Sequence, residues 1–235
     1  MLNGLLVVAT AATPGINVNM GDLGSPEGLS TLIKMALVMT VLAIIPSVLV
    51  MFTCFVRLII VFHFLRQAMG SQNLPPNQVL AALALMLTFF VMSPIGRQVY
   101  EQAVVPYQEG QLDGETALQT GLAPVKDWML RNTRQSDLAL FAKMSGAERP
   151  STRADVPLTV VMPAFLISEL KTAFQIGFLL FMPFLIIDLV VASVLLSMGM
   201  MMLPPVMISF PFKILLFVMV DGWALLVGSL VASFR

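Results

Sequence analysis

Between Leu158 and Val220 the only charged side chains are Glu169, Lys171, Asp188 and Lys213. A stretch so poor in charge has no water-facing side on which to rest, so it folds only by burying itself against lipid or protein. Four charges left in lipid at the bilayer centre would cost roughly 2.5–3.5 kcal/mol each, about 10–14 kcal/mol together. They are therefore expected to be paired, to face a water-filled path, or to lie outside the lipid. Glu169 and Lys213 stand nearly alone in apolar sequence and are the expected buried ion pair, within one chain or between copies. Lys171 competes for Glu169, although positions two apart on a helix point in different directions. Lys171, Asp188 and Arg57 complete the set of expected buried charges.

The same stretch contains Ser197-Met198-Gly199-Met200-Met201-Met202-Leu203-Pro204-Pro205. Gly199 lowers helix propensity and the proline pair forbids continuation, so two apolar helices meet at an irregular joint. Pro163, Pro183 and Pro211 are expected to break or kink the helices on either side. Asp221-Gly222-Trp223 interrupts the last apolar run, where Trp223 suits an interface or a polar contact.

Composition agrees: 58% hydrophobic and 11% charged residues, where soluble domains carry about 25% charged, make this an integral membrane protein or part of a membrane assembly. Thirteen basic residues balance thirteen acidic ones, so no nucleic-acid partner is expected. Hydropathy divides the chain into four parts. Residues 1–30 read as a short leader-like apolar segment followed by a loop. Residues 31–96 read as a first hydrophobic hairpin. Its opening helix runs from Met35 through Pro46, Arg57 and His63 to Met69, too long for a simple span, with Gly70 as a stop signal. A turn over 71–76 follows, and Asn77 is the expected cap of the next helix. Val79 to Met92 is short for a span before Ser93-Pro94-Ile95-Gly96. Residues 97–157 hold more than half of all charges and read as a polar helical domain. One helix there is marked by Leu118, Leu122, Val125 and Met129, and a second, capped by Ser136, by Leu140, Phe141 and Met144. Residues 158–235 form a second hydrophobic hairpin turning at the methionine joint. The expected fold class is all-α: kinked membrane-associated hairpins, in a ring-like helical assembly, with a small helical periplasmic domain. Four crossing segments, with the 66–78 turn and Arg66 on the cytoplasmic side, place both termini and 97–157 in the periplasm.

Catalytic and metal chemistry find little support. Cys54 and His63 are the only residues of their kinds and lie in an apolar run, where packing accounts for them. No cofactor motif is present, and no metal or catalytic residue is assigned. Ser168-Glu169-Leu170-Lys171 matches the Ser-x-x-Lys spacing of acyl-transfer enzymes without its companion motifs.

Arg57-Leu58-Ile59-Ile60-Val61, Phe64-Leu65-Arg66-Gln67-Ala68 and Pro75-Pro76-Asn77-Gln78-Val79-Leu80 strongly resemble the FliP family of flagellar biosynthesis proteins. So do Glu169-Leu170-Lys171-Thr172-Ala173-Phe174-Gln175-Ile176-Gly177, Asp188-Leu189-Val190-Val191-Ala192-Ser193 and the methionine joint. The family also includes the matching subunit of virulence type III secretion systems, and the resemblance runs from about Leu32 to the C-terminus. It implies a core subunit of the flagellar export gate, in the inner membrane within the basal body, with a periplasmic portion. It implies a pentameric homomeric ring with FliQ-like and FliR-like subunits, other export-gate proteins, membrane lipid and unfolded flagellar export substrates as partners. No enzymatic role follows. On this reading Met200, Met201 and Met202 form a deformable apolar pore gasket, Gly199 is its hinge, and Pro204 and Pro205 fix the return into the next helix. The alternatives are methionines that merely fill space at a turn and, at the level of function, a subunit of a small-solute transporter whose broken helices form a substrate site.

Overall fold

The computed structural model describes residues 26–234 apart from 72, 147–154 and 201, and gives no side-chain placement for 26–32 and 45–49. The leader-like segment lies outside the described residues. Every element among the described residues is helical. The chain divides into two units between Pro46 and Ser47.

The first helix, α1 (Pro26–Met51), starts inside the segment expected to be loop, with Pro26 at a first-turn position that needs no N–H donor. Within it, Ile33–Ile44 is a shorter apolar stretch. The long opening helix expected from Met35 to Met69 is two helices, α1 and α2 (Phe55–Ala68). The break falls at Thr53, whose hydroxyl donates to the Val50 carbonyl at 3.2 Å and accepts from the Phe55 N–H at 3.4 Å. Such local side-chain bonds give the backbone an alternative to the helical ladder.

The described residues of the second unit, from Phe52 to Phe234, contribute to one core. Leu58, Val61, Phe62 and Leu65 of α2 are completely buried, and their spacing puts them on one helical face. That face packs chiefly on α7 (Leu158–Ser197) and on α3 (Asn77–Val99). α7 receives α2 along the stripe Glu169, Ala173, Gly177. At Gly177 the approach is so close that an added Cβ would lie 2.5 Å from a Phe64 ring carbon. α2 stops at Gly70 in the left-handed conformation (φ +79°), where glycine meets no steric penalty. Asn77 is not the cap of α3. Pro76 holds that position, and the Asn77 side chain accepts from the Arg66 guanidinium across the turn.

α3 does not end at Ser93-Pro94. It continues through Pro94 to Val99 and then through a π-helical turn (Tyr100–Val104) and α4 (Val105–Gln108). The whole run, 32 residues, is apolar enough to cross a membrane. Buried Ile95, one residue past the proline, keeps the helix on the core where its own ladder has lost a bond. α7 likewise runs unbroken for 40 residues across Pro163 and Pro183, about 60 Å at the ordinary rise. The expected breaks occur elsewhere: at the methionine joint, and at Asp221 (φ 52°), where α8 (Pro205–Met219) and α9 (Gly222–Ala232) meet at 64°. Gly222 fits there against the Phe217 ring, which Trp223 meets edge-on at 5.4 Å between centroids. Among the described residues two helices are long and apolar enough to cross a membrane, or three if α8 and α9 count as one span, where hydropathy suggested four segments.

α5 (Gly114–Asn132) and α6 (Gln135–Met144) occupy the polar segment. Of the stripe expected to face the core, Met129 is buried while Leu118 is 64% exposed. The helix is anchored at its C-terminal end, where Trp128, Met129 and Leu130 join the same core as the apolar helices. α6 is capped at Arg134 rather than Ser136, and its buried residue is Asp137.

Candidate functional site

Three polar clusters lie along α7, each tying it to a different part of the chain. The deepest is Arg57 with Glu169. Neither is more than 4% exposed, and the guanidinium grips the carboxylate with two nitrogens: Nε donates to Oε2 at 2.8 Å and Nη2 to Oε1. Planar two-point pairing is what arginine does and lysine cannot. The third nitrogen, Nη1, donates to the Ser233 hydroxyl at 2.9 Å, and the guanidinium carbon lies 3.9 Å from the centre of the Phe234 ring. Phe234 in turn stacks on Trp128, which meets Phe165 edge-on. One buried cation thus joins α2, α7, α5 and the residues after α9.

The second cluster docks α6. The Ser168 hydroxyl donates to Asp137 Oδ2 at 2.8 Å, and the Lys171 ammonium donates to Oδ1. The Arg134 N–H donates to Ser168 Oγ at 3.1 Å, while its guanidinium reaches Thr172 and Gln175. The Ser-x-x-Lys spacing therefore has a structural use: positions three apart on one helical face hold a single carboxylate. The Lys171 hydrogen bond, assisted by Ser168, keeps the Asp137 carboxyl below its ordinary range against the opposing effect of burial.

The third cluster sits about 28 Å further along α7, at the ordinary helical rise. Asp188 accepts from the Lys213 ammonium at 2.6 Å and from the Ser209 hydroxyl. Lys213 also donates to the Ala68 carbonyl at 3.1 Å.

Within one chain, then, Glu169 and Lys213 do not meet. Both are buried, as their isolation in sequence suggested, but Glu169 is taken by Arg57 and Lys213 by Asp188. Lys171 is not a buried charge: its side chain is 49% exposed and lies on the α6 side of the helix. Asp188 is partly exposed, and Arg57 is buried. Three partners were hidden from sequence reasoning. Asp137 stands in a charged segment where a carboxylate draws no notice, and Ser233 and Phe234 carry no pattern. For Asp137 the signal was Ser168 and Lys171 sharing one face of an otherwise apolar helix.

At the joint, α7 ends in a Schellman motif. The Met200 N–H donates to the Leu195 carbonyl at 2.9 Å and the Gly199 N–H to Leu196 at 3.1 Å, with Gly199 at φ +74°. Gly199 is thus a specific helix cap. Pro204 precedes α8 and Pro205 is its first residue. Between them Met200 is 44% and Met202 97% exposed, whereas Met201 lies outside the described residues. Beside the joint, α7 and α8 leave an apolar groove of about 480 Å³ lined by Ile187, Val191, Leu195, Ile208 and Phe212 among others.

Residues 38–230 match the family model described as the FliP family. The chain belongs to the FliP family. It is 52% identical over 217 residues to the flagellar biosynthetic protein FliP of Bacillus subtilis, covering 92% of this chain and 98% of that one. The FliP of Cereibacter sphaeroides is 52% identical over 94% of this chain and 73% of its own length. That of Caulobacter vibrioides is 50% identical over 98% and 86%. With its apolar helices, membership makes this a membrane protein of flagellum biogenesis and protein export. The family is a structural component of that apparatus and not a known enzyme family.

Proposed function

We propose that the chain is a core subunit of the flagellar export gate. Five copies, with FliQ-like and FliR-like subunits, form the channel through which unfolded flagellar proteins cross the inner membrane, and the methionine joint seals it. The observation that carries this reading is the joint itself. A capped helix end and a proline start hold a short loop on which Met200 is 44% and Met202 97% exposed. Repeated around an axis, such loops form an apolar constriction that resists wetting, and thioethers adapt to varied side chains passing through. The apolar surface of α7, on which Phe178, Leu179, Ile186 and Leu189 are each at least 60% exposed, is of the kind that lipid or neighbouring subunits cover.

The test replaces Met200, Met201 and Met202 together with alanine. The assembled complex should persist while the membrane leaks ions and small solutes. Loss of assembly without a leak favours a packing role, and an intact, tight complex removes the gasket. We also place the 97–157 segment in the periplasm. A cysteine at Leu118, which is exposed and outside the polar clusters, should react with a periplasm-restricted thiol reagent. Protection of that site in an assembled complex, with labelling only after the membrane is opened, would reverse the orientation. A Glu169–Lys213 pair between copies requires each residue to leave its partner in the same chain. Charge exchange at these two positions would restore assembly only if that happens.

A further inference from the structure

Lys213 joins segments far apart in sequence immediately beyond the methionine joint. Its ammonium is 2% exposed and holds both Asp188 of α7 and the Ala68 carbonyl. Ala68 is the last residue of α2, so its carbonyl is one that the helix leaves without an internal partner. A cation there also meets the negative end of the helix dipole. Gly70 brings the turn after α2 hard against α8. A Cβ on it would lie 3.1 Å from Val206 Cγ1 and 3.7 Å from the Lys213 ammonium. Ser209, between Val206 and Lys213 on α8, completes the arrangement by donating to Asp188. The end of α2, the last quarter of α7 and residues 206–213 of α8 thus meet at one buried ammonium, and α8 begins where the joint ends.

Apolar contact alone would fix this region poorly. α7 is little buried in its apolar portion, and the groove beside the joint keeps α7 and α8 apart there. Apolar burial is non-directional, so it sets neither the height nor the rotation of α8 against the turn. A buried ion pair is weak support for stability as such, since apolar replacements of similar volume are often as stable. Direction is what this one supplies: three hydrogen bonds converge on fixed points of three segments.

We propose that Lys213 is a positioning residue that, through Asp188 and the Ala68 carbonyl, sets the place of the methionine joint relative to the 66–76 turn and thereby holds the gate closed. The proposal rests on the gasket reading above, and the experiment separates the two. Cysteines at Ser71 and Val206, in a Cys54→Ala background, report the junction through a short bifunctional maleimide. Ion leak reports the seal, and the mass of the extracted complex reports assembly. Lys213→Met should assemble, lose most of the 71–206 cross-link and leak as the triple methionine variant does, while Lys213→Arg should keep more of both. An assembled Lys213→Met complex with an undiminished cross-link overturns the proposal. So does a lost cross-link without leak where the triple variant leaks, and in that case the gasket stands. If the triple variant is tight, the gasket fails and the cross-link alone decides whether Lys213 positions the joint. Should Lys213→Met not assemble, Asp188→Asn, which keeps the shape of the side chain, is read by the same three measurements.

Discussion

Removing Glu169 should be among the most damaging single changes available in this chain, and removing Arg57 worse still. Both side chains are essentially sealed from solvent. Breaking a buried pair by deleting one partner costs about 3–5 kcal/mol, because the other charge is left desolvated and unmatched. In Glu169→Ala the guanidinium cannot shed its proton, but it keeps the Ser233 hydroxyl and the Phe234 ring. In Arg57→Ala both carboxylate oxygens lose their bonds to the guanidinium, and the ring contact, worth about 0.5–2 kcal/mol, goes as well. For a chain of this size the cost corresponds to a fall of roughly 6–20 °C in apparent melting temperature. The assay is thermal unfolding of the detergent-extracted complex at one scan rate, with Arg57→Ala, Glu169→Ala, Arg57→Lys and the double variant Arg57→Met/Glu169→Leu. Arg57→Lys should lose much of the stability because a point charge cannot make the two-point contact. The double variant should recover most of it. If the double variant loses the sum of the two single losses, the pair is not coupled and the reasoning fails.

Acid should loosen the docking of α6. The Asp137 carboxyl sits below its ordinary value of 3.8, so its contribution is fully present above that pH and is lost as pH falls through the lower value it has in the folded protein. Asp137→Asn should abolish that part of the acid sensitivity, and a wild-type-like melting profile between about pH 2 and 5 in the variant would refute it. The glycines should separate by mechanism. Gly177→Ala forces a Cβ into the Phe64 ring and should cost about 1–3 kcal/mol, with relief from Phe64→Leu. At Gly199 nothing among the described residues lies within 4 Å of an added Cβ, so Gly199→Ala should cost only about 1–2 kcal/mol of left-handed backbone strain, and Gly199→Asn less. Thermal melts of the four variants check both, and equal costs for Gly199→Ala and Gly199→Asn would argue against the backbone explanation.

Some of this architecture was already legible in the residues. Charge depletion named the class, because no arrangement of such a sequence can face water throughout. Gly199 and Pro204-Pro205 located the joint, since their backbone restrictions act whatever surrounds them, and the cap and helix start fall where those residues put them. Isolation in apolar sequence marked Glu169, Lys213 and Arg57 as groups that bury and therefore need partners.

Who those partners are was decided only in three dimensions. Pairing depends on which helix lies beside which. α2 approaches α7 closely enough at Gly177 to deliver Arg57 to Glu169, and no spacing rule gives that pairing, because the two residues are separated by 112 positions.

 Proline rules were overridden in the same way: Pro94, Pro163 and Pro183 each remove one ladder bond, yet α3 and α7 continue through them, and the residue after each proline, Ile95, Ala164 or Phe184, is buried. The α1–α2 break goes the other way, since the Thr53 hydroxyl offers local bonds that a hydropathy pattern does not register. Lys171 found Asp137, and Lys213 found Asp188 and the end of α2, because a buried charge takes whichever counter-charge the packed backbone brings within reach. The sequence determined that these charges had to be satisfied and where the chain had to turn; the tertiary structure alone decided their partners, because a helix fixes which face a side chain is on but not what is packed against that face.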